Sequence, residues 1–352
     1  MIATASANSA PAFASGRTSP PRLGTALAKA ASFSGGIVLL YNGRATAPAY
    51  AGKDSRRRST NLLVAIFAVL FGLAFGSFLN VCISRLPRHE SIVHPRSRCP
   101  RCRAGIQAAD NIPILSWILL RGRCRACRWL IPWRYPAVEF ATAALFLLSF
   151  LRFGLGVVAI GMAVLCFLLL GLAVMDAETM RLPDTFTLTG IVLGILYSGI
   201  APEFFRIVPG AFILPSGLIE ILNTGRGLAF PLGTTGIPGF VVSAVWAILA
   251  ALLLLLIRWL YFLVRHQEGL GLGDIKLIAM IAAWLGPAPT LLTLLLGALA
   301  AALFGIFAVA LSRGQRPFAS TRLPLGSFLC AAAIYTVFAG HPILQWYLKF
   351  FR

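Results

Sequence analysis

Long runs of apolar residues fill most of the chain after residue 60, and short polar segments separate them. A helix that spans a bilayer needs about 20 apolar residues, and the run from Leu62 to Ser84 has that length without a charge. The stretch from Leu277 to Ser312 is also uncharged but too long for one span, and Gly286-Pro287 divides it. The pattern therefore predicts an all-α polytopic membrane protein with about eight transmembrane helices, at 62–84, 137–151, 155–175, 186–201, 239–257, 277–286, 290–312 and 325–348.

The same pattern divides the chain into four regions. Residues 1–60 are rich in Ala, Ser, Pro and Gly, which indicates a disordered or targeting-like tail or a misassigned start codon that adds non-native sequence. We expect a first transmembrane helix over 61–84, a loop domain over 85–136 and a seven-helix domain over 137–352. Within the last region, 202–238 is rich in Gly and Pro and is predicted to be a loop.

Charged residues are scarce and mostly basic. Only 12% of the residues are charged, against about a quarter in soluble domains, and 31 Lys+Arg outnumber 11 Asp+Glu for a net charge of +20. Because most arginines lie between apolar runs, they indicate membrane topology rather than nucleic-acid binding. The loop 85–135 carries eleven Arg and two acids, so we expect it on the cytoplasmic side. Alternation of the spans then places 176–184 and 265–276 on the same side.

Four of the seven cysteines form two C-x-x-C pairs in this basic loop. The pairs are Cys99 with Cys102 and Cys124 with Cys127, and two such knuckles at this separation are typical of a tetrahedral zinc site with four thiolates. Nearby arginines favour the thiolate form. Since a four-cysteine site leaves no open coordination position, we expect a structural role. The alternative is four free or transiently bridged thiols.

Two aspartates lie at the edges of apolar runs. Asp176 ends the uncharged run from Leu155 to Met175, where a carboxylate opposes the helix macrodipole and is costly to bury; the alternative is an interfacial Asp paired with Arg181. Asp274 closes Gly269-Leu-Gly-Leu-Gly-Asp and begins a short apolar run, where an ordinary N-cap is the alternative.

Both aspartates are predicted on the cytoplasmic side of different spans. When two carboxylates lie close together they cannot both ionise, so one can hold a proton while the other acts as a base. Such a pair activates water for peptide hydrolysis without a metal or a covalent intermediate. The sequence alone does not place the two side chains together.

These motifs resemble, in order, those of the type IV prepilin peptidases, which are bifunctional leader peptidase/N-methyltransferases of the GxGD aspartyl peptidases. The family's Pro-x-Gly-Pro-like element is Leu323-Pro-Leu-Gly-Ser327 in this chain. The resemblance covers about residues 62–352 and rests on Gly76–Pro87, Cys99–Cys102, Asp110–Trp117, Cys124–Cys127, Arg134–Glu139, Asp176–Asp184 and Gly271–Leu277.

The resemblance implies a set of roles. Asp176 and Asp274 match the catalytic aspartates, the four loop cysteines match zinc-binding positions, and Gly271, Gly273 and Lys276 support the substrate or the loop. The implied reaction removes the leader of type IV prepilins or type II secretion pseudopilins at the cytoplasmic face of the bacterial inner membrane. S-adenosylmethionine then methylates the new N-terminus, although the chain has no nucleotide-type glycine motif.

Two other interpretations remain open at this point. A proton-coupled membrane transporter could use Asp176 and Asp274 as a relay, and a zinc-loop membrane scaffold could use them only to cap helices. Membrane lipids are expected partners in every case, nucleic acid in none, and the sequence does not specify an oligomeric state.

Overall fold

The computed structural model describes residues 51–94, 96–201, 239–267, 270–311 and 324–349. These parts of the chain are almost entirely helical, and no strand occurs among them beyond two isolated β-bridges in the loop domain. The predicted loop 202–238, the first 50 residues of the predicted tail and most of the basic segment before the last helix lie outside the described residues. The all-α prediction is confirmed for the residues described.

Each predicted apolar run coincides with a helix. The loop domain between the first two long helices contains one short helix and two 3-10 turns, Leu86–Arg88 and Ala108–Asn111. The helices are α1 Ala51–Arg85, α2 Leu115–Leu119, α3 Arg134–Phe153, α4 Val157–Thr179, α5 Asp184–Ile200, α6 Gly239–Arg265, α7 Leu272–Leu285, α8 Pro287–Leu311 and α9 Leu325–Lys349.

Five of these helices are long and apolar enough to cross a membrane among the residues described: Leu62–Arg88, Arg134–Phe153, Val157–Thr179, Gly239–Arg265 and Pro287–Ala308. Two further helices have shorter apolar stretches, and α7 has only 14 residues, about 21 Å of helix. A membrane protein with at least five candidate spans is thus established by length and composition, and the count of eight stays a prediction.

The first helix is longer than the sequence indicated. It begins at Ala51, inside the predicted tail, and continues without a break to Arg85. Arginine is a good helix former, and no Gly or Pro occurs between Lys53 and Phe71 to stop the helix. The helix therefore extends beyond the predicted span, while the candidate span within it begins at Leu62. The change from basic to apolar residues marks a change of environment along one continuous helix.

Glycines bring α1 and α3 close together. A Cβ added at Gly72 would lie 2.5 Å from the Cα of Ala143, and one at Gly76 would lie 2.7 Å from the Cα of Glu139. Real side chains cannot occupy that space, so the two backbones touch only because these positions are glycine. This contact fixes the end of α1 beside the start of α3.

Helix α7 lies in the centre of the helical domain. It contacts α5, α6, α8 and α9, and every residue from Leu277 to Leu285 is buried. Trp284 stacks on Tyr197 with ring centroids 5.0 Å apart, and its indole N–H donates to the carbonyl oxygen of Gly190 at 2.8 Å. Packing on all sides explains how so short a helix is held, and it fixes the position of its first turn.

Candidate active site

Asp176 and Asp274 line the same cleft. Asp176 lies in the last turn of α4 and is 6% exposed, and Asp274 lies in the first turn of α7. The cleft has a volume of about 520 Å³ and opens where the end of α1, the α4–α5 connection and the start of α7 converge. The predicted same-side segments 176–184 and 265–276 thus both contribute to it.

Asp176 is held by the first turn of α9. Its Oδ2 atom accepts the backbone N–H of Ser327 at 2.7 Å and lies 3.1 Å from the Ser327 hydroxyl. The backbone N–H of Gly326 also donates to this carboxylate. Asp176 lies at the negative end of the α4 macrodipole, but the positive end of α9 faces it, so α9 offsets the cost of that position.

The Ser327 hydroxyl connects α9 to α4 a second time. It lies 2.8 Å from the carbonyl oxygen of Ala173, one turn before Asp176. Because the family's Pro-x-Gly-Pro-like element ends in Ser327 here, this chain has a backbone N–H and a hydroxyl at that position. The predicted alternative, an Asp176–Arg181 pair, does not describe the contacts found, since the partners of Asp176 are on α9.

Asp274 has fewer donors. It is the third residue of α7, and its carboxylate accepts the backbone N–H of Gly271, the residue that precedes the helix. It is therefore not the N-cap residue itself, although it satisfies one N–H at that end. The carboxylates of Asp176 and Asp274 are close enough to interact electrostatically.

A salt bridge spans one side of the cleft. Lys276 Nζ lies 2.6 Å from Asp184 Oδ1, which joins the first turn of α7 to the first residue of α5. Beside it, a Cβ added at Gly273 would lie 3.2 Å from the Cβ of Leu182, so the glycine allows α7 to approach the α4–α5 connection. Asp184 is the first residue of α5, and its carboxylate pairs with Lys276.

The four loop cysteines converge. Their sulfur atoms all lie within 4.8 Å of one another, and the Sγ atoms of Cys99 and Cys127 are 3.8 Å apart. A tetrahedral zinc with Zn–S bonds of about 2.3 Å separates its sulfurs by about 3.8 Å. The arrangement therefore fits a zinc ion, and the cluster predicted from the C-x-x-C spacing is confirmed.

The two knuckles have the same backbone geometry. In each, the residue after the second cysteine, Arg103 or Arg128, takes a left-handed conformation with φ near 59° or 58°, and its N–H donates to the carbonyl of the first cysteine. The backbone N–H of Cys127, followed by that of Ala126, lowers the pKa of Cys124 to about 7. These donors favour the thiolate that a metal requires.

A further carboxylate connects the loop to the helices. Glu139 is buried in α3 and accepts the backbone N–H of Ile114 at 2.7 Å. Arg134, the first residue of α3, forms an ion pair with Glu178 at the end of α4. That ion pair and Ser327 are contacts that the sequence did not identify; the Pro324-Leu-Gly-Ser327 element was the available signal for the second.

Comparison with known proteins gives two matches to family models. Residues 70–153 match the bacterial peptidase A24 N-terminal domain, and residues 163–306 match the type IV leader peptidase family. The chain belongs to the type IV leader peptidase family. The resemblance read from the motifs is thereby confirmed, and both matches contain residues of the site, with Asp176 and Asp274 inside the second.

Curated relatives agree with this membership. A prepilin leader peptidase/N-methyltransferase of Burkholderia pseudomallei (strain 1026b) is 33% identical over 78% of this chain and 85% of its own length. Proteins of the same name from Aeromonas salmonicida (strain A449) and Myxococcus xanthus (strain DK1622) are 32% and 36% identical, over 80% and 69% of this chain and 92% and 63% of theirs. No solved structure gives a significant match.

We expect the purified leader peptidase homologue to carry one zinc ion per chain. Replacing Cys99 and Cys124 by serine removes one thiolate from each knuckle and should abolish the bound zinc, since structural zinc sites contribute on the order of 10 kcal/mol of binding energy. Metal analysis of the purified protein measures this, with Cys82→Ala, a buried cysteine of α1, as the control. Equal zinc content in the double variant and wild type would contradict the assignment.

Proposed function

We propose that this chain removes the leader peptide of type IV prepilins or type II secretion pseudopilins at the cytoplasmic face of the bacterial inner membrane, using Asp176 and Asp274, and that it then methylates the new N-terminus. The names of the curated relatives support the substrate class and both activities. The observation that carries the proposal is that two carboxylates 98 positions apart in the sequence line one cleft.

The surroundings of the two carboxylates favour different roles. Asp176 faces the N-terminal turn of α9 and accepts N–H groups from Gly326 and Ser327, an arrangement that stabilises negative charge. Asp274 has one backbone donor and the neighbouring charge of Asp176. In the proposed resting state Asp176 is ionised and Asp274 holds the proton of the pair.

In the proposed reaction, Asp176 takes a proton from a water molecule as that water attacks the scissile carbonyl carbon. Asp274 donates its proton to the carbonyl oxygen, which gives a tetrahedral intermediate. Collapse of the intermediate breaks the C–N bond, and the proton held by Asp176 passes to the leaving amine. The hydroxyl proton returns to Asp274, so the pair ends with the single proton it had at the start.

The remaining groups of the cleft position this pair. Lys276 forms its ion pair with Asp184, so its positive charge is held there and not on Asp176 or Asp274. Gly273 allows the first turn of α7 to approach the α4–α5 connection, and a Cβ at Gly271 would lie 3.2 Å from Oδ2 of Asp274. These contacts support the assignment of the three residues as loop or substrate support.

Zinc belongs to this proposal as a structural ion. When bound by the four cysteines, zinc would cross-link the two knuckles. The left-handed turns at Arg103 and Arg128 position both cysteine pairs. The Arg125–Asp110 ion pair connects the second knuckle to the segment before α2. The cluster does not line the cleft, so zinc has no part in the proposed cleavage.

Two cavities among the described residues bear on where S-adenosylmethionine would bind, and neither carries a nucleotide-type site. The cleft holds the two aspartates, and a second cavity of about 320 Å³ is lined by Leu255, Arg258, Trp259 and Phe262 of α6. That cavity lacks a carboxylate to bind ribose hydroxyls, the group on which nucleotide-type sites rely. We therefore assign methylation to the chain without assigning residues to it.

Replacing either aspartate by asparagine should stop leader removal. Each change keeps the size of the side chain but removes the proton acceptor or donor, which costs at least about a hundredfold in rate. Co-expression with a prepilin and a gel-shift readout of leader removal measures this. Glu178→Gln is the matched control, because it neutralises an exposed carboxylate on the same turn of α4.

The outcomes separate the interpretations. A peptidase that uses the pair loses cleavage in Asp176→Asn and in Asp274→Asn while both proteins remain inserted, and it keeps cleavage in Glu178→Gln. Normal cleavage by both asparagine variants would contradict a catalytic role for the two aspartates and favour the interpretation in which they only cap helices. Absence of cleavage in wild type, together with proton-coupled transport in vesicles, would favour the transporter.

Replacing Ser327 by alanine should lower kcat and leave KM nearly unchanged. The variant keeps the backbone N–H to Asp176 but loses the hydroxyl, and a hydrogen bond of this kind contributes about 1 kcal/mol, or about fivefold in rate. Steady-state cleavage of a prepilin peptide in detergent gives both constants, and Ser327→Thr, which keeps a hydroxyl, is the control. A raised KM with unchanged kcat would instead place Ser327 in substrate binding.

A further inference from the structure

Exposed apolar side chains cluster on the loop domain near the start of α3. Two of them, Leu119 and Trp133, are 72% and 76% exposed, more than most residues of the candidate spans. We call this set the interfacial patch; it consists of Ile112, Leu115, Ile118, Leu119, Leu130 and Trp133. Six exposed apolar side chains on one loop domain indicate a surface that contacts an apolar phase or a partner.

The depth of the patch relative to α3 is set by two hydrogen bonds. The backbone N–H of Ile114, immediately before α2, donates to the carboxylate of Glu139 at 2.7 Å, and Glu139 is the sixth residue of α3. At 1.5 Å per residue it lies about 7.5 Å along that helix. The indole N–H of Trp117 donates to the carbonyl of Ile131 at 3.2 Å.

Helix α2 is therefore held beside the first turns of α3, which are part of the candidate span Arg134–Phe153. Exposed side chains of α2 therefore lie beside the first turns of that span. The patch and the start of α3 meet at Trp133, the residue that precedes the helix. Tryptophan is common where the acyl chains of a bilayer meet its headgroups.

Three exposed arginines lie close to the patch along the chain. Arg121, Arg123 and Arg128 are exposed, and the chain has no acidic residue between Asp110 and Glu139. Arg125 is already paired with Asp110. Guanidinium groups bind phosphate oxygens well, and juxtamembrane arginines are attracted to anionic headgroups. A surface that matches the patch and these arginines therefore has an apolar interior and an anionic outer layer.

We propose that the interfacial patch lies in the headgroup region of the same bilayer, with its apolar side chains among the acyl chains and the three arginines on the phosphates of anionic phospholipids. The loop domain is then bound to the membrane surface and does not extend freely into the cytoplasm. This proposal does not rest on the proposed peptidase activity. It accounts for the exposed arginines that flank the second knuckle as lipid ligands.

The test uses photo-crosslinking in the full-length protein. Leu119→p-benzoylphenylalanine places a photoreactive group on the patch, and Ile106→p-benzoylphenylalanine places one on an exposed apolar residue of the first knuckle. Both proteins are reconstituted in nanodiscs of mixed phosphatidylglycerol and phosphatidylcholine and illuminated, and mass spectrometry identifies the adducts. Trp133→p-benzoylphenylalanine is a second patch variant, in which one exposed aromatic side chain replaces another.

The proposal predicts lipid adducts at positions 119 and 133 at least several-fold above those at position 106, with phosphatidylglycerol enriched over its share of the nanodisc. Adding Arg121→Gln and Arg123→Gln, which leaves Arg128 in place, should reduce that enrichment while adducts persist. Equal labelling at 119 and 106, no lipid adduct at 119 and 133, or an adduct with a co-reconstituted prepilin in place of lipid would overturn it. An unchanged enrichment in the arginine variants would overturn the anionic part.

Discussion

The hydrogen bonds from the first turn of α9 to Asp176 are the interaction on which the site depends. A carboxylate at the end of α4, 6% exposed and at the negative end of that helix, is unfavourable by itself. The N–H groups of Gly326 and Ser327 supply the opposite end of another helix dipole. Because these donors come from a helix that starts 149 positions later, the two ends of the helical domain must pack together before Asp176 can be accommodated.

The rest of the fold brings the second carboxylate to the same place. Helix α7 is short, buried along its length and fixed by Trp284 against α5, so its first turn and Asp274 cannot slide away from the α4–α5 connection. Gly72 and Gly76 hold α1 against α3, which places the end of α1 at the mouth of the cleft. The chain thus uses close helix packing, rather than a flexible loop, to set the separation of two acids.

The sequence predicted those features that depend on neighbours along the chain. The apolar runs located eight helices, and the C-x-x-C spacing located the cysteine cluster, because a knuckle is one local turn. The Ser327–Asp176 contact joins residues 151 apart and could not be read from spacing. Helix α1 begins before the predicted span because the basic residues ahead of Leu62 are also helical, and a change in composition does not mark where a helix begins. The Arg134–Glu178 ion pair joins residues 44 positions apart on α3 and α4, and spacing along the chain does not indicate it either.

The proposed reaction requires Asp176 and Asp274 to lie together on one cleft in the membrane-embedded protein, as both line it here. The most direct measurement is to replace both by cysteine and treat membranes with a short bifunctional thiol reagent, then search for a linked peptide pair by mass spectrometry. We predict a link between positions 176 and 274. In the control, cysteine is introduced at position 178 instead of 176, and no link to position 274 should form, because the Glu178 side chain pairs with Arg134 away from the cleft. If both cysteines react singly with the reagent and no 176–274 link forms, the shared cleft is wrong.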